Sequence, residues 1–294
     1  MPIATAADGV KLYYEEAGSG TPIVFVHEFG DNYRSWEQQV GFFSRRYRCI
    51  TYNARGYPPS DVPKSPAKYS QDIHVNDIVG VMDALNIPKA HIVGCSMGGY
   101  AALHFPIRFP KRTLSSTVVG AGFGSDPDKR EQFLRDTEAQ ARRFDELGME
   151  KASRDYSVGP SRVQYLNRDP RGFAEFALQF ASHSALGSAN TLRGVQAKRP
   201  SVYELKEGLA KCKIPMLVVT GDEDDNCLEP GIFIKRTCMS STLLVVPATG
   251  HAVNLEEPDF FNRALLDFLT QVDTKAWRAR DPRSLGKSTL SNKA

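Results

Sequence analysis

The chain has 294 residues, room for one large α/β domain or one domain carrying a substantial insertion. Lys plus Arg number 37 against 34 for Asp plus Glu, and the formal net charge of +3 is too mild to imply a nucleic-acid partner. No apolar run approaches the ~20 residues that cross a bilayer, so a membrane partner is not expected.

The first nine residues lack a charged segment followed by an apolar one, so no secretory signal is expected. The five cysteines, at 49, 95, 212, 227 and 238, are odd in number and lack C-x-x-C spacing. They read as reduced thiols of a cytoplasmic protein with no metal site.

In chain order, Ile3 to Thr5 and Val10 to Tyr14, around an Asp8-Gly9 turn, predict a short hairpin. The wholly apolar run Ile23 to Val26 predicts a buried strand. A helix over about Ser35 to Arg45, a strand over Cys49 to Tyr52 and a helix over about Ser70 to Leu85 follow. His91-Ile92-Val93 is a further strand, and Tyr100 to Phe105 fits a helix. This alternation predicts a mostly parallel sheet flanked by helices.

Leu114 to Val119 is the next strand, and the glycine run Gly120 to Gly124 after it does not complete a dinucleotide fingerprint. From about Ser125 to Leu209 strand signals vanish, leaving charged amphipathic segments broken at Gly159-Pro160, Asp169-Pro170 and Arg199-Pro200. The expected organisation is therefore a core over 1–124 and 210–273, a helical cap over 125–209 and a loosely ordered polar tail over 274–294. Strands over Met216 to Val219 and Leu243 to Val246, a helix near Gly231 to Cys238 and one from about Asp259 to Val272 complete the core.

The chemistry centres on Gly94-Cys95-Ser96-Met97-Gly98. A G-x-S-x-G between a strand and a helix is the context of a nucleophile elbow, where the serine occupies a strained apex and the glycines let neighbouring backbone pass. The apex position assigns the nucleophile to Ser96 and leaves Cys95 as small packing. A serine hydroxyl needs a base, and the base an acceptor that fixes its tautomer. His251, on the loop after the last strand, is the expected base. His91 lies in a strand, His74 and His104 in helices and His183 in the insertion, while His27 is better placed to orient backbone. Four carboxylates crowd Asp222 to Asp225 after the preceding strand, and Asp224 is preferred over Asp222, Asp225 and the more distant Asp126. Met97 N–H and Phe29 N–H, from His27-Glu28-Phe29-Gly30-Asp31, are the expected oxyanion donors.

With these residues the chain resembles the α/β-hydrolase superfamily, in particular its cap-bearing serine esterases, lactonases and C–C hydrolases. The family's Gly-x-x-Asp appears as Gly221 to Asp224 and supports Asp224. Two departures stand out: Glu28 replaces a glycine of His-Gly-x-Gly, and Asn53-Ala54-Arg55-Gly56-Tyr57-Pro58-Pro59-Ser60 carries Asn53 for the usual acid and Pro58 for a glycine. Glu28 is expected either to touch substrate or a water or to be a locally bonded turn residue. Serine at the elbow argues against dehalogenase and epoxide hydrolase activities, and Ala252-Val253-Asn254 lacks the tryptophan common after the histidine of C–C hydrolases. The resemblance thus implies a hydrolase of a small carboxylic ester or lactone that works without a cofactor. Phe123, Tyr165, Phe180 and His183, with Phe173 and Phe176, are candidate pocket residues, and Arg162 or Arg193 could meet a carboxylate. The alternatives are a C–C hydrolase or a ligand receptor on the same fold, and the oligomeric state is left open.

Overall fold

The computed structural model describes residues 1–285. Eight strands form one sheet: β1 (Ile3–Thr5), β2 (Lys11–Ala17), β3 (Thr21–Val26), β4 (Tyr47–Tyr52), β5 (Ala90–Cys95), β6 (Thr113–Val119), β7 (Met216–Gly221) and β8 (Ser241–Val246), in the order β1-β2-β4-β3-β5-β6-β7-β8. β1 and β2 run antiparallel to their neighbours, and all other pairs are parallel.

Both faces of the central strands are covered, which is why β3 and β5 read as apolar runs rather than alternating ones. Alternation survives as a choice between two cores. Val24, Val26 and Ile92 pack on one side with α2 (Gln71–Ala84) and α3 (Met97–Arg108). Ile23, Phe25 and Val93 pack on the other with α1 (Glu37–Phe43) and the C-terminal helix. Full burial of the four side chains from Ile23 to Val26 contributes at most about 6–12 kcal/mol.

Between β6 and β7 the chain forms the cap: α4 (Arg130–Ser157), broken at Gly148, then α5 (Val163–Arg168), α6 (Pro170–Ala181) and α7 (Ala185–Thr191), which runs into a π-helical turn over Leu192–Gln196. The Asp169-Pro170 break is the start of α6, where Asp169 Oδ1 accepts from Gly172 N–H at 2.9 Å and Pro170 fills the first turn. A third apolar cluster joins cap to core, with Phe144, Tyr165, Phe176 and Phe180 packed over Phe29, Tyr57 and Met97. α8 (Lys206–Lys211) leads back to the sheet, α9 (Asp225–Thr237) links β7 to β8, and α10 (Val253–Glu256) and α11 (Pro258–Asp273) close the fold.

Three expectations shift. Ser35 to Arg45 is a 3-10 turn over Tyr33–Trp36 followed by the short α1, because Asn32 caps the turn through Arg34 N–H. α9 begins at Asp225 rather than near Gly231. The segment after Asp273 is not wholly loose: the Trp277 ring meets Phe268 edge-on at 5.0 Å, and Arg280 N–H donates to Met239 O at 2.9 Å. Residues 286–294 of the expected tail lie outside the described residues. Among the described residues no helix is long and apolar enough to cross a membrane.

Candidate active site

Ser96 occupies the sharp turn from β5 to α3 with φ 52° and ψ −109°, a region costly for a residue with a Cβ. Glycines make the turn possible. A Cβ on Gly94 would lie 2.0 Å from Gly98 O, and one on Gly98 would lie 2.1 Å from Val26 O, so neither position admits a side chain. Ser96 N–H is tied to Val119 O at 2.8 Å, which anchors the apex to β6. The residue keeps partial exposure while its neighbours on both sides are buried.

His251 follows β8 on a loop held by Glu256. Gly250 N–H and Ala252 N–H, flanking the histidine, donate to the two oxygens of the buried Glu256 carboxylate at 2.6 and 2.9 Å. His251 Nδ1 lies 2.7 Å from Asp224 Oδ2. Because a carboxylate only accepts, Nδ1 carries the hydrogen and Nε2 keeps its lone pair. Burial alone would push His251 down, but the Asp224 charge and hydrogen bond outweigh it and leave the imidazole above its ordinary 6.5. Asp224 shifts the other way: burial would raise it, and the His251 partner holds it below the usual carboxylate value.

The neighbouring acids are occupied otherwise. Asp222 is exposed and accepts from Thr249 N–H at 3.2 Å, Asp225 is exposed, and Asp126 caps the turn before α4 through Asp128 N–H. Asp224 sits at the N-cap of α9 without capping it, which frees its carboxylate for His251. Among the described residues Ser96 Oγ makes no hydrogen bond, to His251 or to any other group.

Phe29 N–H and Met97 N–H have no acceptor among the described residues. Met97 opens α3, where amides are unpaired and the helix favours negative charge. The Phe29 side is set by His27. Its Nε2 accepts from Ala54 N–H at 3.0 Å, so Nδ1 holds the hydrogen and donates to Glu28 O at 2.6 Å. Burial pushes His27 down to about 4 and keeps it neutral for this purpose. Tyr57 O–H donates to Phe29 O at 3.0 Å, fixing the next carbonyl.

A strained serine between β5 and α3, with a histidine–aspartate pair from the loops after β8 and β7, agrees with the comparison to known proteins: residues 21–258 match the model of the alpha/beta hydrolase fold. The chain belongs to this family. It is 28% identical over 266 residues to 3-oxoadipate enol-lactonase 2 of Acinetobacter baylyi, covering 88% of this chain and 93% of that one. It is 27% identical over 275 residues to 2-hydroxy-6-oxo-6-phenylhexa-2,4-dienoate hydrolase of Comamonas testosteroni, covering 88% and 91%. The enol-lactonase structure from Burkholderia xenovorans superposes with a TM-score of 0.80 at 24% identity over 92% of this chain and 100% of that one.

The remaining candidates of this alpha/beta hydrolase divide. Phe180 is fully buried, with its ring centroid 6.0 Å from that of Phe29, and Tyr165 is buried against Phe173 and Phe176. His183 is buried edge-on to Tyr57 and Phe180, and among the described residues neither ring nitrogen has a partner. Burial pushes it down to about 3. Phe123 is 48% exposed and lines an outer cleft with Phe133 and Tyr203, apart from the Phe29 cluster. Arg193 pairs with Glu138 and Asp145 on the flank of the cap, so it is held by carboxylates of its own chain.

Arg162 is buried and donates through Nη2 to Glu28 Oε1. Glu28 is buried, answers Arg162 across the cap boundary and also meets the Asp31 carboxyl of its own loop. A cleft of about 300 Å³ opens between cap and core, with Asp31, Tyr165, Phe176 and Leu255 beside the charged Arg34, Glu37, Arg171 and Glu175; neither Glu28 nor Arg162 lines it. Asn53, where the family has an acid, accepts from Tyr33 N–H at 2.8 Å and donates to Pro58 O at 2.7 Å, a double role an ionised carboxylate cannot perform. Glu256 and Tyr57 escaped the sequence reading. The spacing of Glu256 five residues after His251 was the available signal, and nothing local marked Tyr57.

Proposed function

We propose that this protein is a serine hydrolase of small carboxylic esters or lactones, working through an acyl-enzyme. The observation that carries the reading is the 2.7 Å His251–Asp224 bond at the C-terminal ends of the parallel strands, where Ser96 is held at the elbow apex after β5. His251 Nε2 would take the Ser96 proton as Oγ attacks the carbonyl carbon, then deliver it to the leaving alkoxide. Asp224 stabilises the imidazolium, and Phe29 N–H and Met97 N–H receive the oxyanion. Water, activated by the same histidine, releases the acid.

The enol-lactonase relative supports a lactone or ester substrate, and the Comamonas relative makes C–C cleavage the second reading. Five free, buried cysteines support a reducing, cytoplasmic setting. Turnover of a p-nitrophenyl ester, a small lactone and a vinylogous ring-cleavage diketone by one preparation tests the choice. Hydrolysis of the ester or lactone that disappears in Ser96→Ala is expected. A faster C–C reaction overturns the ester assignment, and binding without turnover makes the protein a receptor.

A further inference from the structure

We propose that the Glu28–Arg162 ion pair is a latch tying the cap to the oxyanion loop, which makes both side chains positioning residues for the Phe29 N–H. The inference rests on the serine-hydrolase reading above. It starts from the peptide unit between Glu28 and Phe29. That unit is planar, so whatever fixes Glu28 O also aims Phe29 N–H. Hydrogen bonds from His27 Nδ1 and Tyr57 O–H hold the carbonyls of Glu28 and Phe29 from the core. The two side chains, in contrast, are held from the cap.

Glu28 reaches Arg162, which stands between Gly159-Pro160 and α5. The Phe29 ring lies against Phe144 and Tyr156 of α4 and Phe180 of α6, at 6.1, 5.6 and 6.0 Å between centroids. Arg162 is itself fixed: Nη1 donates to Ser161 O at 3.2 Å and the guanidinium lies 5.3 Å from the centre of the Phe176 ring. Asp31, buried beside the pair, is pushed up by its burial and by the Glu28 charge, and Glu28 is the carboxylate in contact with Arg162.

A buried ion pair is roughly neutral for stability against apolar residues of the same volume, and its best-attested use is to set register. Here the register is that of the cap over the oxyanion donor. In the pattern this family resembles, a glycine at position 28 leaves no side chain for a cap to hold. The latch therefore makes the oxyanion hole complete only when the cap is seated.

The test compares Glu28→Ala/Arg162→Met, which removes both buried charges together, with Glu28→Gln and wild type. Steady-state ester hydrolysis and the affinity for a boronic acid, whose tetrahedral adduct on Ser96 uses the oxyanion hole, are read in each. The double variant is expected to lose kcat by at least ~10-fold with KM within about threefold, and boronic acid affinity should fall in parallel. Glu28→Gln, which still accepts from Arg162, should lose roughly threefold. Ser96-dependent turnover that is unchanged in the double variant, with unchanged boronic acid affinity, overturns the latch alone. If the double variant does not fold, Glu28→Gln decides, and an unchanged kcat there is the contrary result. A wild type that neither turns over esters nor binds the boronic acid removes the latch together with the hydrolase reading.

Discussion

At the scale of the residue, His251 carries the sharpest consequences. In the proposed role of base it must be neutral; burial lowers it and Arg162 adds to that, but Asp224 and, more weakly, Glu28 outweigh them and leave it above 6.5. The acid limb of kcat/KM is therefore expected to have its midpoint above 6.5, with activity rising as pH increases through it. Asp224→Asn leaves burial without the compensating charge. It should move that midpoint downward and lower kcat by about 10⁴-fold, as loss of the orienting acid does in other triads. A pH–rate profile of both proteins checks the pair, and an acid limb that does not move would detach Asp224 from His251. Glu256 acts one step further out. Glu256→Ala strands the N–H groups of Gly250 and Ala252, each at a cost of roughly 1–3 kcal/mol. A lowered urea midpoint together with a kcat loss of at least ~10-fold is expected; the kcat loss follows because His251 sits between those amides.

At the scale of the element, the elbow and the two flanking loops were legible because each is strictly local. Gly94 and Gly98 signal their own close approaches, and the apolar runs of β3 and β5 signal burial on both faces. Asp224 was preferred over Asp222 and Asp225 through the resemblance to the family's Gly-x-x-Asp, and the structure adds the exposed positions of the other two. Contacts between distant segments were not legible. Nothing near Glu28 announces an arginine 134 residues away, and nothing near Asn53 announces Tyr33 and Pro58. Asn53→Asp tests that loop: it trades a donor for a carboxylate facing the Pro58 carbonyl, and should cost about 1–3 kcal/mol in chemical denaturation. An unchanged denaturation midpoint would mean the amide's double role is dispensable.

At the scale of the molecule, the mostly parallel sheet and the placing of the helical insertion followed from the pattern of apolar runs, while the strand order and the way the cap seats did not. Its amphipathic helices carry aromatic residues whose partners, Phe29, Tyr57 and Met97, belong to two loops of the core and the first turn of α3. That is why Phe180 and Tyr165 were found among the buried aromatics and Phe123, two residues past Ala121 on an exposed turn, was not. The tail misread has the same origin, since Trp277 packs on Phe268 of α11 only once that helix is formed. The whole account turns on Ser96 being an activated nucleophile in a site the cap covers. Intact-mass analysis after treatment with a fluorophosphonate, on wild type, Ser96→Ala and His251→Ala, tests this most directly. One adduct per chain on wild type, none on Ser96→Ala and slow labelling of His251→Ala are expected. An unlabelled wild type, or an adduct that persists in Ser96→Ala, would contradict it.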